Sequence, residues 1–218
     1  EKVTARRQVE LLEKNKPRQE RAKRTYEAIL NAAAELLVEV GIERISTNLV
    51  AERAGITVPA LYRYFPNKYA VLNALGAGLM DRQNAVFQQW FEDNLDEGGL
   101  ESLLDNVDEL LRKTLQVTRD QPGGLEVVQA LRAVAPLQEV RLASHRLVAG
   151  QFAQVAADLV SIEVTEQLRC QARLSVDVGY AIVEMAMEDE TLDTEAVLAE
   201  GSRMINTFWR NQLEQLQG

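Results

Sequence analysis

The chain is poor in the residues that carry most enzyme chemistry. It has one histidine and one cysteine among 218 residues. It contains no metal-ligand spacing, no phosphate-binding glycine loop and no nucleophile elbow, so nothing supports an enzyme, a cofactor or a metal. A lone Cys170 excludes an internal disulfide and fits a reducing, cytoplasmic setting. No apolar run approaches the length that spans a bilayer, so no membrane partner is expected. No signal-peptide pattern opens the chain, and a first residue other than Met leads us to expect a trimmed start. Only five prolines occur, and strand-type alternation is scarce, which points to an all-helical fold.

What the chain has is an uneven charge. Its net charge of −9 hides two unlike parts. Residues 1–68 hold 13 Lys and Arg against 9 Asp and Glu, a net of +4. Residues 69–218 hold 11 against 24, a net of −13. A basic head on an acidic body implies that only the head meets a polyanion.

Apolar spacing and turn residues divide the chain. Residues 1–17 form a charged extension with Arg6, Arg7, Lys14 and Lys16, in which Val9, Leu11 and Leu12 can support a helical turn. Two readings of it stand: a solvated tail, or a basic arm touching DNA. A helix runs from about Arg18 to Val40 and stops at Gly41 in the C-cap manner. Ser46 and Thr47 are N-caps for a short helix reaching Ala54, and Gly55 permits a tight turn. Thr57 caps the next helix, Pro59 sits in its first turn and Pro66 ends it. Asn67 caps a long helix through Phe91. Further helices are expected over 100–119, 123–134, 137–160, 165–188 and 194–215.

Helix, glycine turn and short helix are the grammar of a helix-turn-helix, whose second helix enters the major groove. The first turn of that helix offers Thr57, Val58, Pro59 and Ala60. These can touch thymine methyls but supply few hydrogen bonds to bases. Arg63 can fork onto a guanine or grip a phosphate, and Tyr62 and Tyr64 each offer a hydroxyl to a phosphate. Lys68 opposes the dipole of its own helix unless a phosphate docks there. Leu61 and Phe65, four apart, read as core.

Gly41, the Ser46-Thr47 cap, Val50-Ala51, Ala54-Gly55 and Leu61-Tyr62-x-Tyr64-Phe65-x-x-Lys68 together resemble the DNA-binding domain of the TetR family of bacterial transcriptional regulators. The resemblance spans roughly Arg18 to Leu75. It implies a three-helix DNA-binding domain over 18–66, followed by a helical ligand-binding and dimerisation domain over 67–218. It also implies that Thr47 and Asn48 touch DNA, that Thr57 to Ala60 face bases, and that Tyr62, Tyr64 and Lys68 hold the backbone. Three positions depart from the pattern. Pro59 stands where glycine is common and Tyr64 where histidine is frequent, both altering sequence preference. Leu49 is apolar where a polar residue is usual.

For the body, the resemblance implies a ligand pocket and a dimer formed by the last two helices. Candidate pocket residues are Trp90, Arg132, Arg141, His145, Phe152 and Tyr180. An arginine facing the pocket would favour an anion, whereas a lone histidine is more often solvated or capping. The stripe Ala172, Val176, Gly179, Val183 and Met187, with Met204 and Phe208, suits a four-helix interface between subunits, or else an intramolecular core. Cys170 reads as buried packing. The expected whole is a homodimeric repressor bound to a near-palindromic operator in double-stranded DNA and released by a small-molecule effector. The alternative is a ligand-independent activator or DNA-binding protein.

Overall fold

A computed structural model describes residues 10–14 and 19–217. Among these residues the regular structure is helical: α1 Glu20–Arg44, α2 Thr47–Arg53, α3 Val58–Leu61, α4 Lys68–Asp105, α5 Val107–Asp120, α6 Gly124–Ala133, α7 Gln138–Val160, α8 Glu166–Glu188 and α9 Thr194–Gln217. A 3-10 turn at Ala135–Leu137 precedes α7. None of these helices is long and apolar enough to cross a membrane.

The turn chemistry acts where the sequence places it. Gly41 takes φ +75° and breaks α1, leaving one more turn to Arg44. Gly55 takes φ +67° between α2 and α3. Both are left-handed conformations that a Cβ would strain. Ser46 Oγ accepts from Leu49 N–H, Thr57 Oγ1 from Ala60 N–H, and Asn67 Oδ1 from Ala70 N–H. Each satisfies a donor that the start of a helix leaves free.

Three expectations about helix ends need correction. Regular α3 is a single turn ending at Leu61, not a helix reaching Pro66. Beyond it the chain keeps turning on tighter bonds, from Arg63 N–H to Ala60 O and from Tyr64 N–H to Leu61 O. The helix expected over 100–119 is divided at Asn106, and its first part continues α4 beyond a bend at Gly99 (φ +62°). Leu11 and Leu12 lie in no helical turn.

Packing sorts the chain into two compact units. The first takes the chain up to Leu79 together with Pro122–Arg141; the second takes Met80–Gln121 and the chain from Leu142 onward. The body expected over 67–218 is therefore split, because α6 packs on α1. That contact is close: a Cβ on Gly123 would lie 2.9 Å from Ala34 O. In the second unit, α5, α8 and α9 pack on one another around Leu103, Leu168, Ala172, Val183, Leu198 and Trp209. There Gly201 lets α9 approach α8, since a Cβ on it would lie 2.6 Å from Ile182 Cδ1.

Candidate nucleic-acid interface and ligand cavity

The helix-turn-helix is anchored from behind. Leu61, Phe65, Val50 and Ala51 are fully buried. Arg53 on α2 forks onto Glu39 of α1 at 2.6 and 2.8 Å and also reaches Glu35. With its core side held, the motif presents Asn48, Thr57, Pro59, Tyr62 and Arg63 as exposed residues, while Thr47, Val58, Ala60 and Tyr64 are half-buried. The Tyr62 and Thr47 hydroxyls meet at 3.1 Å, which joins the start of α2 to the end of α3 in one polar edge. Leu49 stays exposed beside them.

Lys68 has a structural task beside the one expected. Its ammonium donates to Ile42 O at 3.2 Å and to Ile45 O at 3.1 Å. It thus satisfies carbonyls left over where α1 ends, and the unfavourable position at the start of α4 is offset inside the protein. Two of its three N–H donors are used in this way.

Part of the N-terminal extension docks against the same edge. Asn67 Nδ2–H donates to Glu10 O at 2.8 Å, and Lys14 N–H donates to Tyr64 O at 2.7 Å. Tyr26 O–H donates to Glu13 at 2.5 Å while its ring packs on Tyr64 and Phe65. Burial and the Glu13 carboxylate push the Tyr26 phenol far above its ordinary range. Arg6, Arg7 and Lys16 lie outside the described residues.

The second unit holds an apolar cavity. Its volume is about 80 Å³. Trp90, Phe152 and Tyr180 line it, as the sequence suggests. Arg132, Arg141 and His145 do not line it. Arg132 lies on the exposed side of α6, and Arg141 sits in the first turn of α7, both in the first unit. His145 is neither solvated nor a cap. It is 2% exposed, stacks on Tyr180 with ring centres 4.3 Å apart, and its Nδ1–H donates to Asp177 Oδ1 at 2.6 Å. Sequence reasoning missed Gln83, Phe87, Leu111, Thr114 and Ser175 in the wall. Only their apolar or neutral spacing could have suggested them, and many core positions share that spacing.

Asp177 feels opposing influences. Burial raises its pKa, but hydrogen bonds from Arg173 and His145 outweigh burial and hold the carboxyl below its ordinary 3.8. A depressed folded pKa stabilises the fold above the ordinary value and loses that contribution as pH falls through the lower one. Asp177→Asn is therefore expected to lower stability at neutral pH. The gap between variant and parent should close as pH falls below about 4, as read by denaturant unfolding at several pH values.

The stripe expected between subunits faces inward. Ala172 and Val183 are buried, Met187 and Phe208 pack on the same core, and Val176 and Gly179 line the cavity. Of the residues chosen for the interface, only Met204 is outward, at 64% exposed. The opposite face of α8 carries a second apolar row, Cys170, Leu174, Val178, Ala181 and Met185, all exposed. Cys170 is thus not buried packing.

Comparison with known proteins covers most of this architecture. Residues 29–75 match bacterial regulatory proteins of the tetR family, and residues 101–213 match the tetracyclin repressor-like C-terminal domain. The tetracycline repressor protein class C of Escherichia coli is 46% identical over 54 residues, 25% of each chain. The matched region thus spans about a quarter of the curated relatives' length. A TetR-family transcriptional regulator from Streptomyces coelicolor superposes with a TM-score of 0.60 at 23% identity, covering 86% of this chain and 98% of that one. The fatty acid degradation regulator FadR from Bacillus halodurans gives 0.58 at 19% identity, covering 87% and 96%.

Proposed function

The chain belongs to the TetR family of bacterial regulatory proteins, a transcriptional regulator with a helix-turn-helix DNA-binding domain and not an enzyme, and from that premise we propose that it is a homodimeric, cytoplasmic repressor released from its operator by a small molecule. The observation that carries this reading is the pairing of an outward α2–α3 edge in one unit with an apolar cavity in the other. Each head sets α3 in a major groove of a near-palindromic operator. Tyr62, Arg63 and Tyr64 hold phosphates, the third donor of Lys68 adds to them, and Asn48 and Thr57 to Ala60 face bases. Thr47 orients Tyr62.

The outward row of α8, together with Met204, forms the dimer interface. It leaves an apolar strip exposed that a second copy would bury. A molecule in the cavity favours a head spacing that no longer matches successive grooves. Trp90, Phe152 and Tyr180 contact it.

Binding to DNA from upstream of its own gene, followed by fluorescence anisotropy across a salt series, tests the DNA contacts. Tyr62→Phe should weaken binding about three- to tenfold with an unchanged salt slope, because no charge is lost. Arg63→Ala should weaken it and reduce the slope by about one. Wild-type binding in both variants would remove α3 from the interface. Lys68→Ala cannot serve this purpose, since it also strips two carbonyls of their partner.

A further inference from the structure

The cavity wall is aromatic and aliphatic, and no charged side chain among the described residues lines it. Most of its polar groups are already engaged. Trp90 Nε1–H donates to Asn106 O and Trp209 Nε1–H to Ser175 Oγ, each at 2.8 Å. Ser175 Oγ–H in turn donates to Gln171 O. Burial lifts the Tyr180 phenol well above its ordinary range, so it stays neutral beside the Ser144 hydroxyl.

The Gln83 amide is only half engaged. It is 2% exposed. Its Nε2–H donates to Thr118 Oγ1 at 2.8 Å. The Thr118 hydroxyl spends its own proton on Thr114 O at 2.7 Å, so towards Gln83 it can only accept. That chain fixes which end of the amide faces Thr118. The other end, Oε1, is buried with no partner. Buried carbonyls are normally paired, and an unpaired one on a residue that lines an apolar cavity is placed to take a donor.

We infer that the cavity takes an uncharged, largely apolar molecule with a ring-containing body and one hydrogen-bond donor, an O–H or N–H, which Gln83 Oε1 accepts. This rests on reading the cavity as the effector site. An anion would find no cation in the wall and would meet the lone pairs of Oε1. A cation would find ring faces but no carboxylate. Either charge would lose its hydration without a counter-charge.

The protein carries its own reporter. Its two tryptophans, Trp90 and Trp209, both line the cavity, so tryptophan emission follows occupancy. Four probes of one shape separate the possibilities: para-propylphenol, para-propylanisole, para-propylbenzoate and para-propylbenzylammonium, titrated at neutral pH. The phenol should saturate the emission change with an affinity about tenfold tighter than the anisole, which lacks only the donor. Neither ion should alter emission where the phenol saturates. Gln83→Met keeps the bulk and removes the acceptor. In it the phenol should weaken about tenfold to the level of the anisole, while the anisole is unchanged and so reports an intact cavity. If that variant does not fold, the ranking of the four probes on the parent protein decides. An anisole as tight as the phenol overturns the inference. So does an ion as tight as the phenol, phenol binding that survives Gln83→Met in folded protein, or no response to any probe. DNA anisotropy in the presence of the phenol separates the two claims. Binding in the expected order without DNA release defeats the effector reading and leaves the cavity chemistry standing.

Discussion

Trp209→Ala is expected to cost about 3–5 kcal/mol of unfolding free energy, the range for removing a fully buried tryptophan. Trp209 is 0% exposed. Its indole meets Phe152 edge-on with centroids 4.8 Å apart, meets Phe208 at 5.6 Å, and donates to Ser175. Truncation enlarges an existing cavity instead of letting the walls collapse, which favours the upper end of the range. It also removes one of the two tryptophans, so circular dichroism through a denaturant series is the suitable measurement. Trp209→Phe keeps much of the packing and should cost clearly less. Equal losses in the two variants would mean that the hydrogen bond to Ser175, and not ring volume, dominates.

Phe65→Ala should do to the first unit what Trp209→Ala does to the second, again by about 3–5 kcal/mol. Phe65 is fully buried and packs on Tyr26 with ring centres 5.2 Å apart, directly behind the turn that follows α3. The expected result is loss of DNA binding at temperatures where the parent still binds. Both tryptophans belong to the second unit, so tryptophan emission should unfold at the parent's denaturant concentration while DNA binding is already gone. If emission and DNA binding fail together, the two units unfold as one.

Legibility followed the range of the interaction. Gly41, Gly55, Ser46, Thr57 and Asn67 act through backbone groups a few residues away, so their chemistry can be read from order alone. The helix-turn-helix was visible for the same reason, and the all-helical body followed from spacing. Orientation was not visible on α8. One row, Ala172, Val176, Gly179, Val183 and Met187, and another, Leu174, Val178, Ala181 and Met185, both repeat at helical spacing and are both apolar. Periodicity finds rows but does not say which faces the core. The structural task of Lys68 is not legible in the sequence because its partners, Ile42 O and Ile45 O, are carbonyls that carry no residue identity. Gln83 was missed because a glutamine on a polar-rich helix looks like surface until its burial is known.

The single turn of α3 has a consequence for how this regulator can diverge. Of Thr57 to Ala60, the residues proposed to face the bases from this turn, only Thr57 has a side chain that can form a hydrogen bond, with Asn48 of α2 beside it. A reader so sparsely equipped extracts little information per base pair. Its address on a genome must then depend heavily on the stiffness and spacing of the site, and on how many copies of the protein compete for it. One new polar side chain in that turn would add a large share of the total. The same fold could thus acquire a new set of target genes in very few mutational steps, with the cavity and the core untouched.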